Sequence, residues 1–171
     1  MPLKKGNVVR IEKSAWPCSY GRTTGRGLDG LPTLPGGLNL RKPYMVLLPT
    51  KFVIQSGNDE PIYYLFFETE ITNRGESSVA KDWGLCLVDS HGKAVEFEAE
   101  SFDPAGYSEL GKKAISLMAV TNDAPVEHAH SARGWLLFKV PKDLLTLPAL
   151  NGSIYCRDYM ERRVFFTFAT P

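Results

Sequence analysis

The chain has 171 residues, 43% of them hydrophobic and 11% aromatic, enough apolar mass for one domain to bury a core without a metal or a disulfide. A formal net charge of +1 excludes a whole-surface nucleic-acid binder. The three cysteines, Cys18, Cys86 and Cys156, hold no C-x-x-C pair, which excludes a zinc ribbon or a thioredoxin-type site.

In chain order, "NVVRIEK" (7–13) reads as a short strand. "CSYGRTTGRGLDGLPTLPGGLN" (18–39) follows, a long Gly/Pro-rich loop with neither periodicity nor a packable face. Its G-x-G-x-x-G, at Gly25, Gly27 and Gly30, is not a dinucleotide fingerprint, because the prolines of "LPTLPGG" forbid the helix that must receive the pyrophosphate. Residues 1–43 thus form an N-terminal strand plus a basic loop, packed on or extending from a β domain at 44–171. Basic residues outnumber acidic ones before Gly57 and the balance reverses from Asp59 to Glu109, so Arg22 and Arg26 are candidates for a partner-facing basic surface.

From Tyr44 onward strands dominate. "YMVLLPTKFVIQS" is strand material, and "PIYYLFFETEITNRGE" a long strand in which Phe67, Thr69 and Ile71 oppose Glu68, Glu70 and Thr72. "DWGLCLVDSHGKAVEFEAESF" reads as a hairpin turning at "DSHG", with Glu96, Glu98 and Glu100 on its wet face. "DPAGYSELGKK" is a loop with at most one helical turn, "AISLMAV" a strand-sized apolar run, "TNDAPVEHAHSA" a loop and "RGWLLFKVP" a strand. "PKDLLTLPAL" holds a short helix, and "SIYCRDYMERRVFFTFATP" the last strand or strand pair. Many short strands with turn signals between them predict an all-β antiparallel sandwich with one or two short helices.

Three pieces in this order, "FFETEITNRGESS", "WGLCLVDSHGKAVEF" and "RGWLLFKVPKDL", resemble the telokin-like, immunoglobulin-like domains of bacterial uncharacterised proteins and secreted antigens. The resemblance covers roughly Ile62 to Asp143. It implies an immunoglobulin-like sandwich of about seven strands or more. It implies no catalytic residue, since that group has no established catalytic motif to carry over.

Three functional readings follow. The first is a non-catalytic interaction or accessory module that uses edge strands or end loops to meet a protein partner. The second is a metal-dependent enzyme or metal-binding protein. His128 and His130 would share one strand face, with a third ligand from Glu127, Asp123 or His91. The third is a carbohydrate-binding module with Trp83 and Trp135 as an aromatic platform. No cofactor and no nucleic-acid partner is expected. "MPLKKGNVVRIEKSAW" lacks the apolar core of an export signal, so the chain as written is expected in the cytoplasm. If it is the soluble part of a longer protein, it would be membrane-associated or extracytoplasmic.

Overall fold

The computed structural model describes residues 8–12, 44–56, 60–89, 91–145 and 150–169. The elements are β1 (Val8–Glu12), β2 (Met45–Ser56), β3 (Ile62–Asn73), β4 (Lys81–Val88), β5 (Ala94–Glu98), α1 (Leu117–Asp123), β6 (Ser131–Pro141), β7 (Asn151–Arg157) and β8 (Arg163–Ala169). They form two four-stranded antiparallel sheets, ordered β1-β2-β3-β6 and β5-β4-β7-β8. The chain is therefore all-β, as its alternation predicts. Glu12 pairs with Lys51 at the end of β1, so this strand belongs to the first sheet.

The alternation in β3 decides which residues face the second sheet. Leu65, Phe67 and Ile71 are buried in the main core with Phe138 of β6 and Phe166 and Phe168 of β8. Phe67 stands 5.5 Å from Phe168 across the gap between sheets, 5.9 Å from Phe138 and 4.7 Å from Phe52, measured between ring centroids. Each such buried ring contributes about 1.5–3 kcal/mol, so this aromatic knot carries much of the cohesion between the sheets. The β4–β5 hairpin forms where "DSHG" predicts it. Asp89 accepts from His91 N and Lys93 N, and Gly92 takes φ +79°.

The other face of the first sheet is covered in part. The long β5–β6 connection crosses it, and Phe102, Tyr107, Leu110 and Ala114 pack on Val53, Phe66, Trp135 and Leu137 as a second small core. This segment holds two 3-10 turns, Pro104–Gly106 and Ser108–Leu110, where one helical turn at most is expected from "DPAGYSELGKK".

The same connection corrects one expectation. "AISLMAV" does not form a strand; its second half opens α1. Ser116 caps the helix by accepting from Ala119 N at 3.3 Å, and Leu117 and Thr121, four residues apart, supply its buried face. A short apolar run reads alike in either state until its neighbours are known. Here the neighbours are Gly134, where an added Cβ would lie 2.7 Å from Leu117 N, and Trp83, whose Nε1 donates to Thr121 Oγ1 at 3.1 Å. Of the short helix expected in "PKDLLTLPAL", a 3-10 turn at Lys142–Leu144 is present, and residues 146–149 lie outside the described residues.

Candidate functional site

β3 ends, β4 begins, β6 begins, and β7 gives way to β8 at one end of the two sheets. The connections there are 74–80, 124–130 and 158–162. They are bonded into one surface, and Asn73 is the pin. Its side chain is fully buried. Nδ2 donates to Val126 O and to Glu76 O, both at 2.7 Å, and Oδ1 accepts from Gly75 N at 2.9 Å. Its backbone accepts from Ala129 N at 2.7 Å and donates to His130 O at 3.0 Å. The third connection joins through Tyr159 N, which donates to Ser78 Oγ at 3.1 Å, and Tyr159 Oη, which donates to Glu76 Oε2 at 3.3 Å. An exposed ion pair between Lys81 and Glu161 closes the ring.

The turn between β7 and β8 is itself prebuilt. Asp158, fully buried, accepts from Met160 N at 2.9 Å and Arg162 N at 3.0 Å, and pairs with Arg162 Nε at 3.0 Å. Tyr159 and Met160 at the tip remain 47% and 44% exposed, two of the few large apolar side chains so placed among the described residues. Among the described residues, those other than glycine with φ in the left-handed region are Asp82 (+52°), Ala129 (+63°) and Glu161 (+62°), all at this end. Alanine and glutamate adopt that region at a cost, and such outliers persist where surrounding bonds over-determine them.

The histidines belong here, in a geometry the sequence does not foresee. Residues 128–129 form a turn and β6 starts only at Ser131, so His128 and His130 do not share a strand face. Positive φ at Ala129 turns the backbone between them. Each Nδ1 lies 2.9 Å from a carbonyl, of Gly75 for His128 and of His128 for His130, and a carbonyl can only accept, so each Nδ1 carries the proton. Among the described residues no three His, Cys, Asp or Glu side chains come together as a metal set.

Trp83 and Trp135 are 3% and 2% exposed and offer no ring face to solvent. Trp83 packs in the main core against α1, and Trp135 lies under the β5–β6 connection, so neither forms the outward-facing platform of the carbohydrate-binding alternative. Arg22 and Arg26 lie outside the described residues, as do Cys18 and the glycine-rich segment. Cys86 and Cys156 are free thiols. Burial raises both, and it drives Cys156 far above the ordinary thiol range. Of the acidic stripe, Glu96 is paired with Arg163 at 2.9 Å, and that guanidinium stacks 4.0 Å from the centre of the Tyr155 ring.

Sequence reasoning missed Tyr159, Met160 and the role of Asn73. "SIYCRDYMERRVFFTFATP" reads only as a strand or strand pair, and nothing local says that a turn at Tyr159 and Met160 meets the connection that follows β3.

No protein-family model matches the chain, and no curated protein matches it. Among solved structures it is similar to a conserved hypothetical protein from Bacillus anthracis, with 10% identity, 95% of this chain and 99% of that chain covered, and a TM-score of 0.38. A protein described as ApaA from Bordetella pertussis shares 10% identity over 74% of this chain and 88% of its own, with a TM-score of 0.34. A structural-genomics target shares 11% over 74% and 80%, with a TM-score of 0.33.

Proposed function

We propose that the chain is a non-catalytic, immunoglobulin-like interaction module that meets a protein partner through the end formed by 74–80, 124–130 and 158–162. Strand order supports the immunoglobulin-like part. β2-β3-β6 follows the A-B-E order of such sandwiches, and β5-β4-β7-β8 follows C′-C-F-G. On that correspondence the β3–β4 and β7–β8 connections take the places of the B–C and F–G loops, which share one end of the sandwich.

The observation that carries the reading is the interlocked, locally strained frame that holds Tyr159 and Met160 out to solvent. A rigid exposed aromatic loses little conformational entropy on binding, and an adjacent methionine adapts to irregular surfaces. A photo-crosslinking residue placed at Tyr159 or Met160 in the cell is expected to trap a protein adduct. The same residue at Lys93, in the β4–β5 turn at the far end, is expected to trap none. Adducts only at Lys93, or equally at both ends, would refute the loop-end assignment.

A further inference from the structure

A second site lies on the outer face of the first sheet, where the β5–β6 connection stops covering it. A cleft of about 480 Å³ opens between β2, β3, β6 and residues 110–115. Lys51, Lys112, Lys113 and Arg133 line it, with Glu68 as the single carboxylate among the described residues and buried Trp135 against the floor. Glu68 is occupied. It binds Arg133 through Nε at 2.8 Å and through Nη2, and accepts from Thr50 Oγ1 at 2.8 Å. Lys51, Lys112 and Lys113 form no ion pair with any described residue. Four cations against one carboxylate leave a concentrated positive field over an apolar wall that includes Ile115, 49% exposed.

We propose that this cleft binds a small, multiply charged organic anion, a polycarboxylate or a phosphate ester. Its volume lies in the range of small-molecule sites, about 300–1,000 Å³. An extended acidic peptide is disfavoured because no strand edge is free there. Trp135 N already donates to Ile115 O at 2.8 Å, and Ser116 bridges to Trp135 along the outer edge of β6. Flexible ammonium groups with no acid partner among the described residues are suited to neutralising such a ligand, and the apolar wall accepts its carbon frame. This proposal stands on the cleft alone and does not depend on the loop-end reading.

Calorimetric titration of the full chain at low ionic strength, with citrate and with 3-phosphoglycerate as probes, tests it. At least one probe is expected to bind one-to-one, and the tighter of the two identifies the carboxylate or the phosphate-ester class. Replacing Lys112 and Lys113 together by alanine is expected to weaken binding about tenfold or more, since two of the cleft's four cations are lost. Glu68→Gln is expected to tighten it, because the carboxylate that lines the cleft is neutralised and Arg133 is released. A merely structural role for these residues would not move affinity in opposite directions. Binding of neither probe, or affinities that the two variants fail to shift in opposite senses, overturns the assignment.

Discussion

Replacing Asn73 by alanine tests the frame at its pin. Three side-chain hydrogen bonds are lost, to Val126 O, Glu76 O and Gly75 N. They are not equal in consequence. Glu76 is exposed, so water can take its carbonyl, and Val126 O keeps Ser78 N as a donor at 3.2 Å. Gly75 is buried, so its N–H is left without a partner at a cost of about 1–3 kcal/mol, and the reduced bonding of Val126 O adds about 0.5–1.5 kcal/mol. A total of about 2–4 kcal/mol corresponds to a fall in Tm of roughly 4–16 °C for a chain of this length. Thr72→Ala is the control. It removes a bond of 2.7 Å to Ser131 Oγ that is exposed, worth about 0.5 kcal/mol.

Asn73→Asp adds a pH test with a defined sign. The carboxylate keeps the acceptor for Gly75 N but faces two carbonyl oxygens where the amide donated. Its ionised form is therefore penalised in the folded state, and its folded pKa is raised above the unfolded value. Stability relative to the parent is then retained below the unfolded pKa and lost as pH rises through the folded one. The deficit of this variant should shrink as pH falls toward about 4. Urea unfolding followed by circular dichroism measures all three variants. An alanine variant within about 0.5 kcal/mol of the parent, or an aspartate variant whose deficit does not change with pH, would refute the reasoning.

Other expectations are as specific. Gly134→Ala places a Cβ 2.7 Å from Leu117 N and 2.9 Å from Ile115 O, both backbone atoms, so α1 must shift at a cost of about 1–3 kcal/mol, and a neutral result in urea unfolding would contradict the packing of α1 on β6. With Trp16 changed to phenylalanine, the emission of Trp83 and Trp135 should be blue-shifted and protected from iodide; red, quenchable emission would restore the sugar-platform reading. With Cys18 changed to serine, Cys156 should resist alkylation until the protein unfolds. Cys86 should react slowly at about pH 8 and accelerate at higher pH than free cysteine, because burial, and next Glu96, raise its pKa and shrink its thiolate fraction. Fast labelling of Cys156 in native protein, followed by mass spectrometry, would show that the β7–β8 layer opens.

Much of the sheet architecture is legible in the residues because a strand half-buried on a core repeats every two positions. Phe67, Thr69 and Ile71 in β3 declare their face without help from the rest of the chain. The "DSHG" turn is equally local, since Asp89 and Gly92 supply its bonds and its φ within five residues. The "GW" of "RGWLLFKVP" is legible only in part. The strand is plain, but Gly134 is there to admit the backbone of α1 on the inner face, and Trp135 to fill the core beneath the β5–β6 connection on the outer one. Both tryptophans were candidates for an exposed platform because apolar strand residues carry no mark of which faces will be covered.

The histidines show the same boundary. "EHAH" alone offers two imidazoles two residues apart, which on a strand would share a face. Asn73, more than fifty residues earlier, holds that stretch as a turn with Ala129 at φ +63°. The alternation of the strands and the chemistry of the close turns were thus determined by the sequence itself, because both depend on neighbours within a few residues. Tertiary structure alone decided the helical state of 117–123, the covering of one sheet face, the meeting of Tyr159 with Glu76 and the basic cleft around Arg133. Each of these depends on groups brought together across many residues of chain, where burial and hydrogen bonding override local preference.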